Sequence, residues 1–414
     1  MKNTNIEWIG EIPSTWDVLP NKYIMHKIKD ICLNYTDENI LSLSKNGVVI
    51  RNFEDGGKMP ATFDGYQRIY NGNLLMCLFD IDVTPRCVGI IENEGLTSPA
   101  YSQFVLNDDA NVNYFYYYYL MLDEDKTLLH LSKNLRHSLT EDQLGDIYVI
   151  KPPLKEQNRI ANFLDTKTKI IDDEINKLVN LIEKYHEYKQ VLITEAVTLG
   201  LNKNVVLIES QAPWMPLIPK HWESAKFKFH LRVDEHKGFP DLEVLSLYRE
   251  YGVIPKNSRT DNHNVTSEDT SNYKHVVKNN FVVNKMKAWQ GSVAVSEYEG
   301  IISPAYYVYK FTSSKINPKY FHYLIRNKSY TPEFRRLSVG IREGQWDLTR
   351  YALENILILI PPMNEQNDIV NFLDRRCELI DSLILEKKEL ILKLEEYKKS
   401  LIYEYVTGKK EVPK

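Results

Sequence analysis

The chain has 414 residues, of which 43% are hydrophobic and 26% charged, and a formal net charge of −4. That length exceeds one ordinary core and predicts two domains or more, while the charge balance excludes a uniformly basic nucleic-acid glue, so a DNA partner would be met by basic residues gathered on one face. Cys32, Cys77, Cys87 and Cys377 form no Cys-x-x-Cys pair, which argues against zinc and against a disulfide framework and makes a reducing cytoplasm the expected compartment. With no apolar leader and no run of 18 apolar residues, no membrane partner is expected.

Read from the N-terminus, Ile12-Pro13 and Trp16 form the first landmark, and Leu41-Ser42-Leu43 the second. Residues 73–79 read as a strand, bounded by the turn signals Gly56-Gly57 and Asn71-Gly72. After Ser98-Pro99-Ala100-Tyr101 comes a tyrosine-rich helix over 114–122, then a strand over 147–150 that runs into Pro152-Pro153. Beyond the proline pair the period changes. Ile171, Leu178, Tyr185, Leu192 and Leu199 stand seven apart, with Ile175, Ile182, Lys189 and Ala196 interleaved. No Pro or Gly interrupts residues 156–199, so a heptad helix of roughly 60 Å is predicted.

The remainder repeats this plan. Ile218-Pro219 with Trp222, Leu245-Ser246-Leu247, strands at 281–284 and 293–296, a turn at Glu299-Gly300, Ser303-Pro304-Ala305-Tyr306, a helix at 319–326 and a strand at 356–360 follow in the same order. Pro152-Pro153-Leu154-Lys155-Glu156-Gln157-Asn158 recurs 209 positions later as Pro361-Pro362-Met363-Asn364-Glu365-Gln366-Asn367, and Asn162-Phe163-Leu164-Asp165 recurs at the same offset as Asn371-Phe372-Leu373-Asp374. A second heptad stripe holds Ile380, Ile384, Ile391, Leu394, Leu401 and Tyr405. Neither helix is stable with one exposed stripe, and the other copy is the nearest partner. The helical ends match well, whereas the globular parts share only landmarks between dissimilar stretches. One frame therefore carries two different surfaces.

Enzyme chemistry is not written here. No Asn/Asp-Pro-Pro-Tyr/Phe loop precedes either proline pair, and no Gly-rich phosphate loop occurs. Pro240-Asp241 has no Asp/Glu-x-Lys partner within reach. Glu187-x-Lys189, Glu386-x-Lys388 and Asp172-Asp173-Glu174 lie on the long helices, where charged faces are expected.

Taken together, the Ile-Pro…Trp landmark, the Ser-Pro-Ala-Tyr repeat and the Pro-Pro-x-x-Glu-Gln-x-x-Ile…Phe-Leu-Asp helix starts resemble the specificity subunits of type I restriction–modification systems. So do residues 245–256 (Leu-Ser-Leu-Tyr-Arg-Glu-Tyr-Gly-Val-Ile-Pro-Lys) and 284–291 (Asn-Lys-Met-Lys-Ala-Trp-Gln-Gly). The first half departs from the second, with Cys77-Leu78-Phe79-Asp80 where the second has Asn284-Lys285-Met286-Lys287. The resemblance implies an α/β (α+β) fold with an internal two-fold repeat. Target recognition domains at 1–155 and 201–363 alternate with long helices at 156–200 and 364–414 that pair as an antiparallel coiled coil. It implies a noncatalytic subunit that reads an asymmetric bipartite site in double-stranded DNA, with the helices as spacer. Two modification subunits and the restriction subunits are the implied partners. They, not this chain, carry S-adenosylmethionine, ATP and Mg. A coiled-coil scaffold with duplicated protein-binding domains is the alternative.

Base edges and phosphates are met by Arg, Lys and amides beside aromatics. In the first domain Lys45, Arg51, Lys58, Arg68, Arg86 and Arg136 fit; in the second, Arg249, Lys256, Arg259, Lys285, Lys287, Trp289, Gln290, Arg342 and Gln345. Any of these cations can equally be a solvated surface residue. Trp289 is open between packing and base stacking, while Trp16, Trp222, Tyr101 and Tyr306 read as packing. Ile160, Phe163, Leu164, Ile369, Phe372 and Leu373 either pack on their own domain or dock a modification subunit. Gln157 and Gln366 read as braces of the helix starts.

Overall fold

The computed structural model describes residues 1–6, 8–53, 60–132, 137–259, 266–267, 269–341 and 346–413. The chain divides into two units, Met1–Leu178 with Lys388–Lys414, and Val179–Lys387. Both boundaries fall inside the long helices, Leu154–Leu199 and Met363–Val406. Each unit thus holds one globular region, the start of the helix that follows it and part of the other helix.

In the first unit a four-stranded antiparallel sheet runs Met25–Ile28, Ser102–Leu106, Leu74–Met76, Val88–Ile90. In the second unit the order is Leu231–Val233, Tyr306–Phe311, Phe281–Asn284, Val293–Val295, the same connectivity built on corresponding residues. Antiparallel sheets beside separate helices make each region α+β. The tyrosine-rich helix is Val112–Glu124, with Tyr114, Phe115 and Tyr117 through Leu122 buried. A helix apolar on nearly all faces belongs inside the core. Its counterpart is Pro318–Ile325. Gly300, read as a turn residue, instead opens the strand Gly300–Ile302. A Cβ there would lie 2.4 Å from the Glu243 carbonyl oxygen, so glycine permits the close passage of that backbone. The Gly56-Gly57 turn lies outside the described residues.

The repeated motifs are the braces that join each sheet region to its helices. In the first unit the Trp16 indole N–H donates to Glu156 at 2.9 Å. The buried Gln157 accepts from the Asn111 backbone N–H at 2.7 Å and donates to the carbonyls of Pro152 and Asp109. Asn111, in turn, caps the tyrosine-rich helix by accepting from Tyr114 N–H. Asp165 accepts from the Tyr117 hydroxyl at 2.8 Å, and the Tyr114 hydroxyl donates to the Val406 carbonyl at 2.9 Å.

The second unit repeats each contact: Trp222 to Glu365, Asn317 N–H to Gln366, Gln366 to Pro361 and Lys315, Tyr323 to Asp374, and Tyr320 to Val197. The packing and bracing readings of Trp16, Trp222, Gln157 and Gln366 thus hold.

Antiparallel helix pairing is seen inside each unit. In the first, the Phe163 and Tyr405 rings pack at a tilt with centroids 4.5 Å apart, and Lys398 pairs with Asp172 at 2.7 Å. In the second, Lys189 pairs with Asp381 at 2.6 Å, so the one lysine in the heptad stripe is matched by a carboxylate on the facing helix. Ile171, Leu178, Ile380, Ile384, Leu401 and Tyr405 are buried, as the heptads predict.

Ile160 and Leu164 are buried in the first core, and Ile369 and Leu373 in the second. The docking role weighed for these four gives way to packing on their own domain, because their apolar surface is already covered. Phe163 and Phe372 are half-buried, Phe372 beneath Arg376 at 5.8 Å.

Candidate nucleic-acid interface

In the second unit the hairpin Leu245–Tyr248 with Gly252–Pro255 closes on residues 249–251. Beside it, the strand Phe281–Asn284 leaves the sheet, turns through Ala288–Gln290 and returns as Val293–Val295. The base of that loop is closed by Asn284 N–H donating to Ser292 O, and its interior by the Trp289 indole donating to Met286 O at 3.1 Å. Arg249 Nη2 donates to Gln290 Oε1 at 2.9 Å and joins hairpin turn to loop. Two sequence candidates 41 positions apart therefore meet.

An aromatic and cationic surface surrounds this junction. Arg259 lies 4.5 Å from the Tyr251 ring and 5.7 Å from that of Tyr248. Trp289 meets Trp346 edge-to-face at 5.4 Å, and Arg335 lies 5.5 Å over Trp346. Such cation–ring pairs hold the guanidinium in place and keep an apolar face beside it. Lys285 is 3.6 Å from Asp347, Lys256 donates to Thr266 at 2.6 Å, and Lys287 is exposed. Arg342 and Gln345 lie outside the described residues.

Sequence reasoning missed Arg326, Arg335 and Trp346. Trp346 follows the Arg342–Gln345 stretch and was within reach of the rule that pairs cations with aromatics. Arg326 carries no local signal. Its guanidinium donates to the carbonyls of Val293, Arg249 and Glu250, contacts that only the fold creates. Burial pulls its pKa down. The neighbouring His322 is pushed down to about 3, first by burial and then by Arg326, and its Nδ1 accepts from Val295 N–H at 3.3 Å.

The first unit has the same frame with different chemistry. Its hairpin, Leu41–Ser44 with Gly47–Ile50, closes on the exposed Lys45 and Asn46. Arg51 lies 5.3 Å over Phe53, which packs through Phe63 onto Tyr35 and Tyr66. Arg68 is held by Glu38 at 3.2 Å and lies 3.9 Å from Asp30. Glu38 is lowered to about 2, chiefly by the Thr36 backbone N–H, with Arg68 a smaller cause. Arg86 donates to the Tyr116 hydroxyl at 3.3 Å. Of the first-domain candidates, then, Lys45 and Arg51 stand at the hairpin, Arg68 and Arg86 are engaged inside the unit, and Lys58 and Arg136 lie outside the described residues. Tyr101 and Tyr306 are half-buried, their carbonyls held by Gln67 at 2.6 Å and Lys274 at 2.5 Å respectively.

Comparison with known proteins places the chain in a family. The sequence model of the family described as the type I restriction modification DNA specificity domain matches residues 88–184 and 239–396, more than half of the chain. The chain belongs to this family. The type I restriction enzyme MjaVIII specificity subunit of Methanocaldococcus jannaschii is 25% identical over 283 residues, 64% of this chain. That match spans 62% of the relative, short of two thirds of its length. A putative type I restriction enzyme MjaX specificity subunit from the same organism is 24% identical, covering 97% of this chain and 95% of the relative. Among solved structures, a chain from work on assembly and conformational transition of the type I R-M system matches with a TM-score of 0.67 at 12% identity, covering 96% and 98% of the two chains. The HsdS subunit from Thermoanaerobacter tengcongensis matches with a TM-score of 0.51 at 13% identity, again over 96% and 98%. Family and fold agree with the α+β regions and long helices described above. Among the described residues no helix is long and apolar enough to cross a membrane.

Proposed function

We propose that this chain is the DNA-reading, noncatalytic subunit of a type I restriction–modification complex, and that each globular region reads one half of an asymmetric, split site. One observation carries the reading. The two regions share braces, sheet order and hairpin position, yet carry different side chains on the hairpin and its neighbouring loop. Arg249 and Arg259 stand at the second region's hairpin where the first has Lys45 and Arg51, and Trp289 and Gln290 stand on the loop where the first has residues 77–87. Phosphate contacts from such cations position a domain, and base-edge contacts specify the sequence. A negative total charge is compatible with this, since only the reading faces need to be basic.

In this reading the long helices set the spacing of the half-sites, because the rise of a helix is fixed by its backbone. Two modification subunits bind this chain and bring S-adenosylmethionine and adenine methylation. Restriction subunits add ATP- and Mg-dependent translocation and cleavage. Four unpaired thiols suit a reducing cytoplasm.

The test is to express the chain with its modification subunit in a methylation-free host and map modified adenine across the genome. A split, asymmetric motif with a fixed spacer is the expected result. No motif from a complex that assembles and binds S-adenosylmethionine would return the duplicated-scaffold reading.

A further inference from the structure

We propose that the second region reads a guanine through Arg249, that Gln290 orients this guanidinium, and that Arg326 is a positioning residue that fixes the turn carrying it. The inference rests on the DNA-reading function proposed above and deepens it to one base and three side chains.

Residues 249–251 form an exposed three-residue turn between Tyr248 and Gly252. Exposed turns are ordinarily the mobile part of a hairpin. This one is pinned from behind. Arg326, at the end of the helix Pro318–Ile325, donates from Nη2 to the carbonyls of Arg249 at 2.6 Å and Glu250 at 3.1 Å, and from Nη1 to Val293 O at 2.9 Å. A single planar fork therefore ties two consecutive turn carbonyls to the strand that leaves the neighbouring loop. Among the described residues no carboxylate pairs with Arg326, and its depressed pKa reflects burial alone. Half-burying a cation to hold three carbonyls costs free energy, and what it secures is the position of the turn.

The side chain on that turn is held as well. Arg249 gives one N–H to Gln290 Oε1 from the facing loop. A guanidinium has five N–H donors in a rigid plane, so this leaves the two-pronged edge that matches O6 and N7 of guanine. Among the described residues the first region has no such device. Its turn has two residues, Lys45 and Asn46, and the position corresponding to Arg326, by the 206-residue offset that relates Tyr114 to Tyr320, is the buried Leu120.

The experiment is methylation mapping of the full chain with its modification subunit, comparing Arg249→Ala, Arg326→Lys and wild type. Arg249→Ala is expected to lose about 5- to 150-fold discrimination at one guanine in one half-site, with the other half-site and the melting temperature unchanged. Arg326→Lys keeps the charge but loses the fork, and is expected to relax the same position to a smaller degree. An unchanged motif in Arg249→Ala, or relaxation at a base other than guanine, overturns the assignment. If Arg326→Lys lowers methylation equally at all sites without altering base identity, its positioning role is overturned. Absence of any motif in wild type would sink the DNA-reading function and this inference with it, whereas a wild-type motif that survives Arg249→Ala sinks the inference alone.

Discussion

Gln157 and Gln366 show what a single repeated residue does in this frame. Each is fully buried, and each accepts one backbone N–H while donating to two carbonyls. Truncation leaves those groups without partners, at about 1–3 kcal/mol for an unsatisfied buried group. Gln157→Ala and Gln366→Ala should each lower stability by that amount in urea titrations, and a loss under about 0.5 kcal/mol, the size of an ordinary surface substitution, would show that water replaces the brace. His322 gives a second residue-scale prediction. Its folded pKa of about 3 lies below the ordinary value of 6.5. Above pH 6.5 the ring is neutral in both states and its contribution is complete. As pH falls from 6.5 toward 3 the unfolded chain takes up a proton that the folded unit refuses, so stability drops by at most about 1.4 kcal/mol per pH unit. His322→Gln should flatten the difference in urea midpoint between pH 7.5 and pH 5; an unaltered difference rules the ring out as its source. These roles were unequally legible. The glutamines announced themselves by repetition beside Pro-Pro. Arg68 and Arg326 did not, because Glu38 and the Arg249 turn reach them only through the fold.

At the scale of elements, the long helices were readable because seven-residue spacing persists over several turns, and they were found at Leu154–Leu199 and Met363–Val406. The sheets were not. Strands of three to five residues, several of them buried on both faces, carry too little alternation to reveal partners, so the order Met25–Ile28, Ser102–Leu106, Leu74–Met76, Val88–Ile90 emerged only from the structure. Helix ends follow a local rule that the sequence also hints at. Gly200 and Gly408 adopt φ of +77° and +69° just beyond the two helices, the left-handed conformation that glycine takes at no steric cost. Space is as restrictive as the backbone. A Cβ at Gly408 would lie 2.5 Å from Pro13 Cδ and 2.9 Å from the Trp16 ring. Gly408→Ala should therefore cost more than about 1 kcal/mol, read as a lower melting temperature of the first unit; an unchanged transition would mean that the landmark Ile12-Pro13…Trp16 does not pack tightly on this helix end.

For the whole molecule, duplication separates what must be constant from what must vary. Each unit spends its shared residues on the brace from tryptophan to glutamate, the buried glutamine and the tyrosine hydroxyl that ends on a long helix. Among its unshared residues are those of the hairpin and the loop beside it. Half-site identity and half-site spacing should then be separable by mutation, the first residing in the hairpins and the second in the helices. Removing one heptad from each long helix, residues 177–183 and 387–393, keeps the seam in phase and takes out about 10 Å of axial rise. At about 3.4 Å per base pair the spacer in the methylated motif should shorten by about three base pairs, while both half-site sequences stay as in wild type. Genome-wide mapping of modified adenine reads spacer and half-sites in one measurement. A shortened pair of helices that still methylates the wild-type spacer would remove the helices from the role of ruler and leave spacing to the partner subunits. A changed half-site would mean that the reading surfaces extend onto the helices themselves.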